Sequence, residues 1–157
     1  MKNKLVDILE ETVLTPDMDQ EKFISMIDPV SAAALLPSLE EVERLDNIVI
    51  VRLRHRIGPM GLRDEGVIQV KPWVDRALVK VDTEHIRYRI ELVVDGVGPR
   101  TNVKIIVRSI AKKDLVSQLI PVKEKIVMSR AIGLVAGLAR QAGATMVMPM
   151  WKKELNY

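Results

Sequence analysis

A histidine and an aspartate lie in two consecutive stretches of the chain in which apolar and polar residues alternate. Such alternation predicts a β-strand for each stretch, and Gly58-Pro59-Met60-Gly61 between them predicts a turn. If Ile57 and Leu62 close this hairpin as a pair, His55 stands opposite Asp64, and both side chains lie on the apolar face of the sheet. The sequence therefore predicts a polar pair within an apolar surface.

Buried polar atoms need hydrogen-bond partners, and this requirement allows two interpretations of the pair. His55 and Asp64 either orient the head group of a ligand inside a cavity, or satisfy each other near the rim of the sheet. The same register places Leu53 opposite Gly66, Val51 opposite Ile68 and Glu65 opposite Arg54. A basic ladder of Arg52, Arg54 and Arg56 then falls on the other face, where cross-strand pairs with acidic residues predict a solvated surface.

A third charged residue is expected within the apolar face of the long C-terminal helix. At 100° per residue, one broad arc collects Val122, Ile126, Val127, Gly133, Leu134, Gly137 and Leu138. Arg130 falls on this arc, where a guanidinium could hold the carboxylate of a fatty acid through two hydrogen bonds. The alternatives are a pair with Asp64 or another acidic group, or a stem that extends to water. Gly133 and Gly137 indicate either close approach to the sheet or space beneath the helix.

Other chemistry has little support in the sequence. The chain has no cysteine and only two histidines, which argues against thiol nucleophiles, disulfides and multi-histidine metal sites. No Ser-His-Asp spacing and no glycine-rich phosphate loop appears. We therefore expect no cofactor and no metal, and a binding function rather than an enzyme. The pair of His55 with Asp64 as a base in a cyclase-like reaction is a minor alternative.

The elements that position these residues follow in a clear order. Residues 4–15 fit a helical stripe in part, so that local pattern leaves helix and strand both open. Two short helices are predicted next, the first capped by Asp17 or Asp19 and the second running from Val30 to Leu36 after Asp28-Pro29. Period-two stretches then predict strands at 41–45, 48–57, 62–71, 76–82, 86–94 and 101–110. A helix over about 112–143, with a kink or restart at Pro121, covers the sheet.

This order predicts an α+β fold with an antiparallel sheet of about six or seven strands and one buried face. Whether the C-terminal helix presses fully onto that face decides between a filled core and a cavity. The residues expected to line a cavity are Leu53, His55, Ile57, Leu62, Asp64, Ile68, Val79, Tyr88, Ile90, Ile126, Arg130 and Leu134.

Composition limits the class of protein. A length of 157 residues predicts one domain. No apolar run approaches the roughly 20 residues that span a bilayer, and acidic residues come too early for a signal peptide, so we expect a cytoplasmic protein. The net charge is +3 and aromatic residues make up 3%, which argues against nucleic-acid binding. The lack of cysteine and the many Arg, Glu, Ile and Val residues are typical of a thermophile.

Three stretches resemble the helix-grip fold of the START and Bet v 1-like (SRPBCC) superfamily, and in particular the branch of the G-type subunit of carbon monoxide dehydrogenase and related archaeal proteins. They are QEKFISMIDP at 20–29, LLPSLEEV at 35–42 and RIGPMGL at 56–62, the last followed by the small residue Gly66. The resemblance covers roughly residues 4–142. It implies that residues 4–13 form a strand, and that a lipid, a fatty acid or another hydrophobic molecule binds between the sheet and the C-terminal helix.

The resemblance leaves more than one function open, because some members of the superfamily are cyclases or hydrolases and some assist other proteins. A protein-interaction or assembly factor with a filled core is the main alternative to a lipid-binding protein. In the tail, residues 144–157, Met146, Met148, Met150 and Trp151 would line a cavity mouth, form a homodimer contact or pack as an ordinary terminal segment.

Overall fold

The computed structural model describes residues 6–46, 48–111, 115–120 and 123–149. Its strands are β1 Val6–Leu14, β2 Leu39–Leu45, β3 Ile48–Ile57, β4 Met60–Pro72, β5 Arg76–Thr83, β6 Ile86–Asp95, β7 Asn102–Ala111 and β8 Met148–Pro149. Its α-helices are α1 Gln20–Ser25, α2 Pro29–Ala32, α3 Leu115–Gln118 and α4 Glu124–Gln141, and short 3₁₀ turns occupy Ala33–Leu35 and Gly98–Arg100.

All the described strands form one antiparallel sheet in the order β2-β3-β4-β5-β6-β7-β1-β8. Neighbours from β2 to β7 are consecutive in the chain, as the alternating sequence predicted. β1 pairs with β7 from Val6 opposite Ile110 to Leu14 opposite Asn102, which resolves the ambiguity of this segment in favour of a strand. The free edge of β7 supplies hydrogen bonds that the local helical stripe does not outweigh.

The two short helices begin where the sequence predicted. The Asp19 side chain accepts a hydrogen bond from the Lys22 amide, and Asp28 forms a capping box with Ser31 ahead of α2. The second helix is shorter than the predicted span of Val30 to Leu36, because it tightens into a 3₁₀ turn at Ala33–Leu35 before Pro37. α2 packs beside β3 and β4, and α1 contacts α4.

The C-terminal helix is interrupted, as Pro121 predicted, and it starts again at Glu124. Pro121 and Val122 themselves lie outside the described residues, as do Met150 and Trp151. α4 crosses the sheet over β7 and β1 and also contacts the 3₁₀ turn at Ala33–Leu35. None of the helices in the described ranges has the length and hydropathy to cross a membrane.

The side of α4 that faces the sheet differs from the predicted arc. The buried residues are Val127, Met128, Ala131, Val135, Leu138 and Ala139. The observed buried face is therefore rotated from the predicted arc by about 100°, the angle between successive residues of a helix. Apolar side chains occur almost all round this helix, and the small side chains of Ala131 and Ala139 let it lie close to the sheet. The prediction that Gly133 and Arg130 face the sheet is therefore wrong, and both residues are exposed.

The antiparallel sheet, the two short helices after the first strand and the long C-terminal helix together form the α+β helix-grip fold. The core lies between the sheet and the helices, with residues such as Phe23, Leu36 and Ile90 fully buried. β8, which pairs Met148 with Leu14 at the edge of the sheet, brings the strand count to eight in the described part of the chain.

Candidate functional site

The hairpin that carries His55 and Asp64 closes two residues earlier than predicted. Gly58, with φ +60°, and Pro59 form a two-residue turn, so that Ile57 pairs with Met60 instead of Leu62. A positive φ at the first turn position is the conformation that glycine provides in tight hairpins. The longer turn that the sequence predicted is therefore wrong, and the register moves by two residues.

The observed register corrects each of the predicted pairs. His55 stands opposite Leu62, Leu53 opposite Asp64, Val51 opposite Gly66, Val49 opposite Ile68 and Arg52 opposite Glu65. Because side chains alternate between the faces with a period of two, a shift of two residues keeps every side chain on its predicted face. His55 and Asp64 therefore still share the buried face, as diagonal neighbours.

His55 and Asp64 form a buried hydrogen-bonded pair. Nε2 of His55 lies 2.7 Å from Oδ2 of Asp64, and the two residues are 6% and 3% exposed. The contact that the sequence predicted is confirmed, although the residues are not directly opposite each other. No further hydrogen bond of His55 occurs within the described ranges.

Thr83 joins this pair from the end of β5. Its Oγ1 donates to Oδ2 of Asp64 over 2.7 Å and accepts from the Ile86 amide over 2.9 Å. β5 reaches Asp64 because Gly66 has no side chain: a Cβ there would lie 2.2 Å from the carbonyl oxygen of Asp82. Oδ1 of Asp64 is buried and has no hydrogen-bond partner in the part of the chain that the structure describes.

Asp64 is ionised at neutral pH. Burial by itself raises the pKa of this carboxyl, but the hydrogen bonds from His55 and Thr83 and the electrostatic attraction of His55 and His85 together outweigh burial and hold the pKa below its ordinary value. An ionised carboxylate only accepts hydrogen bonds, so Nε2 of His55 carries a proton in this contact. The second ring nitrogen of His55 is then the atom that can meet a further polar group.

A second polar contact lies at the turn between β5 and β6. Nδ1 of His85 lies 2.7 Å from Oγ of Ser117, which ties this turn to α3. Glu84 in the same turn is exposed, and its Oε1 lies 4.0 Å from Nε2 of His85. One ligand atom from each of Asp64, Glu84 and His85 lies within 4.8 Å of the others. The sequence did not reveal Thr83, Glu84, His85 or Ser117 as site residues, because only the fold brings them to Asp64.

A small recess opens beside His55, between the sheet and the start of α4. It is lined by Pro37, Ser38, Leu53, His55, Arg56, Ile86, Tyr88, Ile120 and Lys123, and its volume is about 10 Å³. A volume of this size holds at most about one water molecule. Burial raises the pKa of Tyr88 to about 12, against a smaller lowering by a backbone hydrogen bond at Lys123.

The remaining residues predicted to line a cavity fall into three groups. Ile68, Val79 and Ile90 are fully buried in the core, and Ile57, Leu62 and Leu134 are half-buried against it. On α4, Ile126 is exposed, and Nη1 of Arg130 donates to the carbonyl oxygen of Leu36 over 2.6 Å. The partner of Arg130 is thus Leu36 and not Asp64, and Leu36 directly precedes Pro37, which lines the recess.

The glycines of α4 leave open space. No heavy atom lies within 4 Å of a Cβ added at Gly133 or Gly137. Of the two interpretations that the sequence allowed, close approach to the sheet is therefore excluded at both positions.

Two residues of the arginine ladder, Arg52 and Arg54, are paired with acidic side chains on the outer face. Arg52 contacts Glu41, Glu43 and Glu65, with Nε 2.8 Å from Oε2 of Glu65, and Nε of Arg54 lies 2.8 Å from Oε2 of Glu40. The predicted pairing of Glu65 with Arg54 is wrong, because the shifted register places Arg63 opposite Arg54. These pairs make the outer face a mixed-charge surface.

Comparison with known proteins supports the fold. No protein-family model and no curated protein matches the sequence. A hypothetical protein from Sulfolobus tokodaii has a TM-score of 0.54 and 14% identity, over 85% of this chain and 87% of that one. A point mutant of norcoclaurine synthase from Thalictrum flavum, in complex with a transition-state analogue, has a TM-score of 0.50 and 13% identity, over 90% of this chain and 98% of that one. These similarities confirm the helix-grip fold that the sequence resemblance implied.

Proposed function

We propose that this chain binds a small hydrophobic molecule with a polar head group, of which a fatty acid is the predicted example. The head group lies beside His55 in the recess, and the apolar chain runs between the sheet and α4. The observation that supports this most is the buried polar network of His55, Asp64 and Thr83. An apolar core gains little stability from such a network, whereas a ligand site needs a few fixed polar groups.

The groups around the recess suit an anionic head. Lys123 is the cationic residue at the start of α4 that lines the recess, and Arg130 donates to Leu36, directly before Pro37 at its other side. One guanidinium nitrogen is used in that bond, and a guanidinium has five N–H donors. Burial of the ligand's chain would contribute about 0.8 kcal/mol per CH₂ group.

Binding on this proposal requires the recess to open. Its volume is about 10 Å³, whereas ligand pockets typically have about 300–1,000 Å³. Ile120, which follows α3 and is 4% exposed, lines the recess where the C-terminal helix is interrupted, and on this proposal its side chain moves when the recess opens. The apparent affinity is then the intrinsic affinity multiplied by the fraction of molecules in the open state.

An interaction or assembly factor with a filled core is the second candidate, and the small recess favours it. An open depression of about 710 Å³, lined by Gln20, Glu21, Ile24, Ser25, Pro72, Trp73 and Val74, offers such a factor an apolar surface away from the recess. Trp73 and Val74 are 50% and 87% exposed. A homodimer and a cytoplasmic location remain predictions under either candidate.

The two candidates are separated by titrating the protein with a fluorescent fatty acid. Ile120→Ala removes a large side chain from the lining of the recess, and Ile24→Ala is the matched control at a similarly buried isoleucine outside it. The proposal predicts saturable binding that Ile120→Ala tightens and Ile24→Ala leaves unchanged, since a smaller side chain lowers the cost of opening. No saturable binding by either variant or by the unmodified protein would exclude the fatty-acid proposal.

A further inference from the structure

We infer that Asp64, Glu84 and His85 form a binding site for a divalent transition-metal ion at the end of the β5–β6 hairpin. One ligand atom from each residue lies within 4.8 Å of the other two. The set contains an imidazole and two carboxylates, which are the usual nitrogen and oxygen ligands of such ions. This inference does not depend on the hydrophobic ligand proposed above.

The unpartnered oxygen of Asp64 is the observation that points to an ion. Oδ2 accepts hydrogen bonds from His55 and Thr83, whereas Oδ1 is buried and has no partner within the described residues. A buried carboxylate oxygen without a partner is costly and needs a compensating group. A cation next to Oδ1 supplies that compensation, and His55 and Thr83 then fix the orientation of the carboxylate.

The turn that carries the other two ligands is held in place by backbone contacts. The Glu84 amide donates to the carbonyl oxygen of Glu65 over 3.1 Å, and the His85 amide donates to Oγ1 of Thr83 over 3.3 Å. Ser117 contacts Nδ1 of His85, and Nε2 lies on the side of Glu84, 4.0 Å from its Oε1. A second contact that orients the imidazole is a regular feature of metal-binding histidines.

The ligand atoms reach the spacing of a metal centre through a small movement of side chains. Ligands at about 2.1 Å from a tetrahedral ion lie about 3.4 Å apart, so ligand atoms up to 4.8 Å apart must approach each other by up to about 1.4 Å on binding. The Glu84 side chain is 73% exposed and can provide this movement. Asp64 and Glu84 also line an open depression of about 410 Å³, which gives solvent access to the cluster.

The imidazole predicts a preference among metal ions. Magnesium and calcium favour all-oxygen sites, whereas zinc and neighbouring first-row ions favour a site that includes histidine nitrogen. Zinc should therefore bind more tightly than magnesium, with water completing the coordination. Glu40, Glu41 and Glu65 line the same depression together with Arg52 and Arg63, and a test must separate these charged residues from the cluster.

The experiment is isothermal titration of the metal-free, tag-free protein with Zn²⁺ and, separately, with Mg²⁺. Glu84→Gln removes an exposed ligand that the fold does not need, and Glu65→Gln is the matched control in the same depression. We expect one Zn²⁺ per chain and weaker Mg²⁺ binding, with a loss of at least about 10-fold in Zn²⁺ affinity for Glu84→Gln and a change within about 2-fold for Glu65→Gln.

Three results would overturn the inference: no stoichiometric Zn²⁺ binding, equal affinity for Zn²⁺ and Mg²⁺, or equal losses for Glu84→Gln and Glu65→Gln. The last two would show that the acidic surface attracts cations without a defined site. Asp64→Asn provides a second test if its circular dichroism spectrum shows a folded protein, and an unchanged Zn²⁺ affinity in that folded variant also contradicts the inference.

Discussion

Nε2 of His55 lies 2.7 Å from Oδ2 of Asp64, although His55 stands opposite Leu62 in the hairpin and Asp64 stands opposite Leu53. The contact is diagonal, and it forms because both side chains point to the buried face. Thr83 then adds a second donor to the same carboxylate oxygen from another strand. Three strands thus meet in one polar contact within an apolar core.

Removal of the Asp64 carboxylate should destabilise the protein. Asp64→Ala leaves His55 and Thr83 without their shared buried acceptor, so the free energy of unfolding should fall by about 2–4 kcal/mol. Urea denaturation followed by circular dichroism, in the presence of a chelator so that metal binding does not contribute, measures this change.

Glu65→Ala is the control for that measurement. Glu65 is the next residue, and its side chain is 58% exposed in a pair with Arg52. Loss of an exposed pair should cost less than about 1 kcal/mol. If both variants lose the same stability, the buried network has no special contribution.

Gly66 should tolerate no side chain. A Cβ at this position would lie 2.2 Å from the Asp82 carbonyl oxygen and 2.4 Å from Cα of Thr83, both backbone atoms. Gly66→Ala should therefore lower the free energy of unfolding by about 3 kcal/mol or more, since strands β4 and β5 must separate. Thermal denaturation by calorimetry or circular dichroism provides the comparison.

Gly137→Ala makes the same chemical change where the structure has room. No heavy atom lies within 4 Å of the added Cβ in α4, so the better helix propensity of alanine should stabilise the protein by up to about 1 kcal/mol. A loss of stability for Gly137→Ala would show that α4 lies closer to its surroundings than this geometry allows.

Tyr88 should make the protein less stable at high pH. Burial raises its pKa to about 12, above the value of about 10 for an unfolded chain. The folded protein therefore keeps this proton between pH 10 and 12 while the unfolded chain loses it, and stability falls as pH rises through that window. Ultraviolet difference spectroscopy of the phenolate should detect a late-titrating tyrosine that is absent from Tyr88→Phe.

The stability of Tyr88→Phe should also change less between pH 10 and 12 than that of the unmodified protein. If both tyrosines of the chain lose their protons near pH 10 in the folded protein, water must reach the Tyr88 side chain in the recess. That outcome would also contradict the closed recess beside His55.

Arg130 should distinguish an acid from its ester if it contacts the head group. Its guanidinium donates to the Leu36 carbonyl beside the recess and can offer further donors to a carboxylate. Arg130→Ala should weaken binding of a fatty acid by at least about 5-fold and leave binding of the methyl ester within about 2-fold, as expected for a lost charge-assisted hydrogen bond. Equal losses for both ligands would assign Arg130 a structural role only.

Local patterns predicted most of the sheet. Strand β3 begins at Ile48 and ends at Ile57, as its alternation indicated, and Asp28-Pro29 began α2. The strand assignment of β1 needed the family resemblance, because its partner β7 lies about a hundred residues away in the chain and leaves no local pattern. Period and capping residues act locally, and they are therefore visible in a sequence.

The details that position the site were harder to predict. The register depended on whether Gly58-Pro59 alone could turn the chain, and the face of α4 depended on packing, since apolar residues surround that helix. His85 and Ser117 are 32 residues apart and meet only through the turn after β5. The contact of His55 with Asp64 was predictable because a shift of two residues preserves the face of a strand.

The most direct test of the proposed function is native mass spectrometry of the purified protein, followed by lipid extraction under denaturing conditions. We predict a mass above that of the bare chain, or a one-to-one complex after incubation with a long-chain fatty acid, and recovery of that molecule in the extract. A bare-chain mass in both samples, together with no displacement of a fluorescent fatty acid, would contradict the proposal and would favour a protein whose core is filled.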